Sequence, residues 1–192
     1  HEYTVSGGQI SREVIYSSNG QYVTKDLRYY YDAAGNPTAI RAFTRTSSNA
    51  AFTDTKYYLL TNMQGDVVAI YNENGDRIFE YVYDAWGNIL RSTQVATGGN
   101  AANNVNPFRY RGYYYDTDTG LYYLQTRYYN PQWGRFLNAD NATVIADSST
   151  ISDKNMFAYC DNNPVMRSDD GGEFWHIVAG AAVGAVVGGL SS

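Results

Sequence analysis

Tyr31-Asp32-Ala33-Ala34-Gly35-Asn36 is a phrase that this chain repeats, and its reading decides the fold. It returns as Tyr71-Asn72-Glu73-Asn74-Gly75-Asp76 and as Tyr83-Asp84-Ala85-Trp86-Gly87-Asn88. Two further copies carry one extra residue before the glycine: Tyr115-Asp116-Thr117-Asp118-Thr119-Gly120 and Tyr129-Asn130-Pro131-Gln132-Trp133-Gly134. Recurrence of this kind marks a repeat architecture. The tyrosine closes a strand, the Asp or Asn bonds its own backbone to open a turn, and the glycine supplies positive φ. Gly35, Gly75, Gly87 and Gly120 are therefore expected at turns between antiparallel strands.

Outward from these phrases the chain reads as short strands. Strands are expected at 3–5, 10–16, 22–31, 56–61, 67–71 and 78–83, with Asn19-Gly20 signalling a two-residue hairpin. In 78–83 the aromatics Phe79, Tyr81 and Tyr83 alternate with Ile78, Glu80 and Val82, which puts the rings on one face. Small polar runs at 44–54 and 96–104 read as loops. A short helix is expected over 155–162, capped by Ser152 or Asp153 and stopped by Asn163-Pro164. The fold class is mostly β: antiparallel hairpin repeats forming a curved sheet, with a short mixed C-terminal segment.

The chain of 192 residues holds 20 tyrosines but only 4 prolines, and tyrosine suits a pleated surface wet on one side. Tyr123→Ala, in the run Leu121-Tyr122-Tyr123-Leu124, is expected to destabilise the sheet by a few kcal/mol through lost burial. A net charge of −5 argues against nucleic acid as a partner, although Arg109, Arg111, Arg127 and Arg135 interleave with aromatics. Those arginines are expected to stack on tyrosines within a sheet, with Arg109, Arg111 and Arg127 beside Tyr113-Tyr114-Tyr115 and the tyrosines of 122–129.

One cysteine, Cys160, and two distant histidines, His1 and His176, exclude a disulfide framework and a zinc site of familiar spacing. Cys160 reads as a buried, inert thiol. No cofactor and no independent enzyme site are read: there is no nucleophile elbow and no histidine base. The start at His1 reads as strand, not as an initiator, so a fragment of a longer chain is expected. Residues 177–190 are small and apolar. Shelter by protein and contact with a membrane both stay open for them.

The block Asn106-Pro107-Phe108-Arg109-Tyr110-Arg111-Gly112-Tyr113-Tyr114-Tyr115-Asp116 is followed by Thr119-Gly120-Leu121-Tyr122-Tyr123-Leu124, Arg127-Tyr128-Tyr129-Asn130-Pro131, Gly134-Arg135-Phe136 and Asn162-Asn163-Pro164-Val165. This ordered set closely resembles the core module of RHS/YD-repeat proteins, whose relatives include toxin-complex C subunits, wall-associated proteins and teneurins. The resemblance implies three parts: YD-type hairpin repeats over 1–105, the RHS repeat-associated core over 106–173, and the start of a variable cargo region over 174–192. It implies the C-terminal end of a β-shell in a secreted or cell-surface bacterial polymorphic toxin used in interbacterial competition. Its partners would be the rest of its own shell, the C-terminal cargo and an immunity protein for that cargo.

Relatives cut themselves just after an Asp-Pro-x-Gly-type motif. Here the corresponding stretch is Ser168-Asp169-Asp170-Gly171-Gly172-Glu173-Phe174. Asp170 replaces the proline and Glu173 replaces an apolar residue, so cleavage in the region Gly172, Glu173, Phe174 is expected to be weak or shifted. Aspartyl chemistry needs two carboxylates sharing a proton. Asp140 is the first candidate by carry-over, with Asp161, Asp169 and Asp170 as candidate partners; turn capping is the other role open to them. A different reading, a carbohydrate-binding or adhesion module, would use Trp86, Trp133 and exposed tyrosines to stack on sugars. It predicts a row of solvent-facing aromatics, whereas a shell predicts that neighbours cover most of them. Trp86 and Trp133, each just before a turn glycine, are expected to pack their hairpins closed.

Overall fold

The structure is a computed structural model and describes residues 1–139, 157–169 and 175–177. Eight strands form one antiparallel sheet in sequence order: β1 (Glu2–Ser6), β2 (Gln9–Tyr16), β3 (Val23–Tyr31), β4 (Pro37–Thr44), β5 (Thr53–Thr61), β6 (Val67–Tyr71), β7 (Arg77–Tyr83) and β8 (Ile89–Gln94). A four-stranded sheet follows from β9 (Tyr114–Asp116), β10 (Leu121–Leu124), β11 (Arg127–Asn130) and β12 (Arg135–Phe136), in the order β12-β11-β10-β9. The pair β13 (Arg167–Asp169) and β14 (Trp175–Ile177) is antiparallel. The only α-helix among the described residues is one turn, α1 (Gly99–Asn103).

The repeated phrase works through one hydrogen-bond set. In the first copy Asp32 Oδ1 accepts the Ala34 and Asn36 N–H groups at 2.9 and 2.8 Å, and Gly35 N–H closes the turn on the Asp32 carbonyl at 3.1 Å. Asn36 Nδ2 then donates to Asp32 Oδ2 at 3.0 Å. The same set recurs at Asn72/Asp76 and Asp84/Asn88. It recurs too at Asn62/Asp66, a copy that Thr61 in place of tyrosine hides in the sequence. Each of the four pairs one carboxylate with one carboxamide, so the amide N–H always faces a carboxylate oxygen that accepts. Gly35, Gly65, Gly75 and Gly87 sit at φ 88°, 86°, 82° and 88°. The register shifts at Tyr30/Tyr31, Leu60/Thr61 and Ile70/Tyr71 are the bulges that a left-handed glycine creates after a type I turn. Gly120, in a longer copy, also has positive φ, at 73°.

Other expectations are corrected. Asn19-Gly20 does not form a two-residue loop: Ser17 N–H bonds the Tyr22 carbonyl, leaving six residues between β2 and β3. Ser17 Oγ and the Asn19 side chain bind each other, which closes the wider loop. Within 155–162 the described residues are not an α-helix. Ala158 bridges Arg135, Tyr159 is extended, and a 3-10 turn spans Cys160–Asn162. Phe157 is held by the Phe136 N–H, a sheet-like contact that competes with helix. The loop at 96–104 contains α1, seated where a Cβ on Gly99 would lie 2.1 Å from the Ile78 carbonyl oxygen.

The chain divides into two compact units: His1–Val82 with Arg91–Gly112, and Tyr83–Leu90 with Tyr113–Ser192. In the first, 105–111 is buried throughout. The Phe108 ring meets Tyr29 and Tyr31 edge-on, with centroids 5.0 and 5.7 Å apart. Arg109 lies over the Tyr81 ring at 4.4 Å and donates to Asn103 Oδ1 and to the Asn106 and Phe108 carbonyls. Asp66, already part of a turn, also accepts the Arg111 N–H at 2.9 Å, and the Arg109 carbonyl accepts from Val67. Arg109 and Arg111 therefore belong to this unit, whereas the tyrosines of 122–129, beside which they were expected, belong to the other. Gly112 is required here, since a Cβ would come within 2.8 Å of Pro37 Cδ.

The four-stranded sheet of the second unit is a tyrosine ladder. Tyr122 pairs with Tyr115 and Tyr129, and Tyr123 with Tyr114 and Tyr128. Pleat alternation buries Tyr122 and Tyr129 completely and leaves Tyr123 half-buried and Tyr128 exposed. Tyr122 and Tyr129 hydroxyls donate to the Gly87 and Trp86 carbonyls at 2.8 and 2.7 Å, so they also hold the Asp84 turn. Trp86 packs against Gly134, the glycine of a different turn, and Trp133 is 64% exposed, so closure of their own hairpins is not what these rings do.

Two outcomes follow from this packing. Asn36→Asp sets two carboxylates against each other, so the variant should melt lower than the parent at neutral pH and recover as acid neutralises one of them. In the parent, the Asn36 side chain and then its N–H hold the Asp32 carboxyl below the usual range. That lowered value means its contribution is present above the ordinary aspartate pKa of about 3.9 and is lost as pH falls through the folded value. Asp32→Asn should accordingly flatten the acid limb of the melting profile. Separately, Tyr122→Ala should cost about 3–5 kcal/mol in denaturant unfolding and Tyr123→Ala roughly 1 kcal/mol, because only the first ring is fully enclosed.

Candidate functional site

In the second unit β10 and β11 turn alternate side chains to one side, and one sequence candidate, Asp169, meets that side. Arg127 and Tyr129 are buried on β11, with Tyr122 and Leu124 buried on β10. Phe136 and Tyr159 close this cluster, the Tyr129 and Tyr159 rings lying 4.2 Å apart. An arginine at an inward position is costly unless an anion meets it. Asp169 is that anion: Arg127 Nη2 donates to its Oδ2 at 3.1 Å, with side-chain exposures of 6% and 4%. The guanidinium also stacks on Phe136 at 3.6 Å from the ring centroid.

Tyr113 grips the backbone of the same aspartate. Its hydroxyl donates to the Asp169 carbonyl at 2.6 Å and accepts the Asp169 N–H at 3.3 Å. The Tyr159 hydroxyl lies 3.0 Å away. Since the one phenolic proton of Tyr113 goes to the carbonyl, Tyr159 is the donor in that contact. Asp169 is thus held by its N–H, its carbonyl and its carboxylate at once, at the end of β13. Asp169 pairs with Trp175 across β13 and β14.

Of the sequence candidates, Asp169 takes this buried position. Asp161 falls in the 3-10 turn Cys160–Asn162. Asp140, Asp170, Gly172, Glu173 and Phe174 lie outside the described residues. Cys160 is 2% exposed with φ 51°, a small apolar residue under Tyr159 in sequence and buried as expected. Arg127, Tyr113 and Tyr159 were not among the candidates. The alternation Arg127-Tyr128-Tyr129 carried the signal, because a buried Tyr129 places Arg127 on the same inward face and calls for a buried partner.

Arg109, Arg111 and Arg127 are all buried, at 3%, 8% and 5%. They spend their charge on carbonyls, rings and carboxylates within the fold. The aromatics split by the same alternation: Tyr29, Tyr57, Tyr81, Tyr110, Tyr113, Tyr122, Tyr129 and Tyr159 are buried, while Tyr3, Tyr16, Tyr30, Tyr58 and Tyr128 face solvent. Among the described residues no helix is long and apolar enough to cross a membrane, and no cluster of His, Cys, Asp and Glu could hold a metal ion.

Comparison with known proteins matches residues 15–165 to the teneurin YD-shell family. The tRNA3(Ser)-specific nuclease WapA of Bacillus spizizenii is 34% identical over 98% of this chain and 8% of its own length. The toxin protein Tse5 of Pseudomonas aeruginosa is 28% identical over 58% of this chain and 7% of its own. The structure of the Photorhabdus luminescens Tc holotoxin pore shares the fold, at a TM-score of 0.51 and 19% identity, over 90% of this chain and 10% of that one. The chain therefore spans less than a tenth of the length of the curated relatives just named. With its reciprocal Asp/Asn hairpin turns and its tyrosine ladder, the chain belongs to the teneurin YD-shell family.

Proposed function

We propose that this chain is the C-terminal end of the shell of a secreted or cell-surface RHS-type polymorphic toxin, and that it encapsulates or presents a variable C-terminal toxin. Its parts are YD-type repeats over 1–105, the core over 106–173 and the start of the cargo region over 174–192. The observation that carries this reading is the breadth of the match. A protein named as a tRNA nuclease and one named as a toxin share this segment, each over less than a tenth of its length. A segment common to long proteins of differing description reads as a carrier rather than as the source of any one activity. The buried arginines support it, since Arg109, Arg111 and Arg127 of the family phrases are spent on packing.

The finer part of the proposal is self-processing in the region 172–174. Asp140 would be the first of a carboxylate pair that activates water and protonates the leaving amine. Asp170 in place of proline leaves the peptide less rigidly presented, and Glu173 adds a like charge beside the pair. Processing is accordingly slow. The shell's other partners would be its own upstream repeats and an immunity protein for the cargo.

Intact mass spectrometry of the full-length protein, followed over days beside its Asp140→Asn variant, tests this. Slow release of a fragment beginning after Glu173 is expected, and none from the variant. Rapid and complete processing would overturn the slow reading, and equal processing in the variant would remove Asp140 from the mechanism. Enclosure is tested separately by added protease. The region beyond 174 should resist digestion until the shell is denatured, and digestion at the rate of the isolated cargo would refute encapsulation.

A further inference from the structure

The self-processing reading treats Asp169 as one of several interchangeable carboxylates, and the geometry separates it from the others. Its carboxylate is 4% exposed and engaged by Arg127 at 3.1 Å, under a guanidinium already fixed by the Phe136 ring. That carboxylate is committed to the ion pair, because withdrawing it would leave the buried guanidinium without its counter-charge. General acid–base work needs a group placed within hydrogen-bond reach of the proton it moves, not one spent on holding a neighbour. Its backbone, meanwhile, is clamped by a single hydroxyl on both polar groups. That is an unusual outlay on one residue: Tyr113 is 56 positions away in sequence and Arg127 is 42.

We propose that Asp169 is an anchor rather than a reacting group, and that Tyr113 and Arg127 are positioning residues holding the end of β13 in one place and one register. This rests on the self-processing reading for its consequence but not for its existence. Antiparallel strands are prone to slip where nothing pins them, and a slip of one residue turns every side chain to the other face. Among the described residues β13 and β14 pair at three positions, Arg167 with Ile177, Ser168 with His176 and Asp169 with Trp175. A contact from outside the pair pins its register. Asp169 supplies it at the last position of β13, where the Arg127 pair sets which face the side chain takes and the Tyr113 hydroxyl sets the height of the backbone. Peptide presented from a pinned end has its orientation prepaid, which is what a slow intramolecular reaction depends on most.

The test uses Asp169→Asn and Tyr113→Phe in the full-length protein, beside the parent and Asp140→Asn. Asn at 169 keeps the size and can still accept from Arg127, and Phe at 113 removes only the hydroxyl. Two readouts are taken: amide hydrogen exchange over 167–169, and the pH–rate profile of fragment release. Faster exchange over 167–169 is expected in both variants, with release about 10- to 100-fold slower and the pH profile unchanged in shape. Complete loss of release in Asp169→Asn, or loss of one limb of its pH profile, with exchange unaltered, would make Asp169 a reacting group and overturn the proposal. Unaltered exchange and rate in both variants would remove the anchor. A parent protein that releases no fragment would refute the self-processing reading alone, because the exchange comparison still decides whether Asp169 anchors β13.

Discussion

Everything in the eight-stranded sheet depends on how a hairpin ends. A turn leaves several backbone N–H groups pointing inward with no strand partner, and each would cost free energy if left unpaired. One side-chain oxygen solves this by accepting two of them, and the residue four positions on completes the arrangement through its amide or carboxylate. The four turns at Asp32, Asn62, Asn72 and Asp84 repeat the arrangement with either partner bearing the charge. What is constant is the complementarity, an amide donor facing a carboxylate acceptor. Because turn geometry sets strand register, this local chemistry decides which residues of the neighbouring strands face inward.

Some of these turns then carry a second load. Asp66 completes its own turn and also receives the Arg111 N–H, fastening the buried run 105–111 within the first unit. Asn88 completes its turn and donates to the Pro131 carbonyl within the second. A repeat that would otherwise be a chain of independent hairpins acquires long-range contacts at its turns, where the polar groups already stand in fixed positions. Buried arginines extend the same logic. Arg109 satisfies carbonyls that an irregular segment leaves without ladder partners, and its planar fork suits several at once.

In the second unit, hydroxyls do what turn carboxylates do in the first. Tyr122 and Tyr129 reach the carbonyls of the Asp84 turn, and Tyr113 reaches both polar groups of Asp169. A tyrosine-rich core can bury polar backbone without loss because each ring brings a hydrogen-bonding end with it. This explains the composition better than wetness alone: rings such as Tyr122, Tyr129 and Tyr159 are fully enclosed, yet none could be phenylalanine without leaving a carbonyl or hydroxyl to find another partner.

By itself the sequence determined the element type, the limits of six strands to within about three residues and the turn glycines, because these follow from short-range causes. Alternation, Asx capping and the low cost of positive φ at glycine act over a few residues and leave readable patterns in Tyr31 to Asn36 or Tyr83 to Asn88. It also carried the family phrases, with Arg127 and Asp169 both in view but unconnected. Tertiary structure decided what lies far apart along the chain: that Asn62 to Asp66 is a further turn of the same kind, that Arg109 and Arg111 serve the first unit, that Tyr122 rather than Tyr123 is enclosed, and that Arg127 meets Asp169. The physical reason is that a charge at an inward position announces a need for a partner but not its identity. Only the packing of β10, β11 and β13 brings the one carboxylate within 3.1 Å.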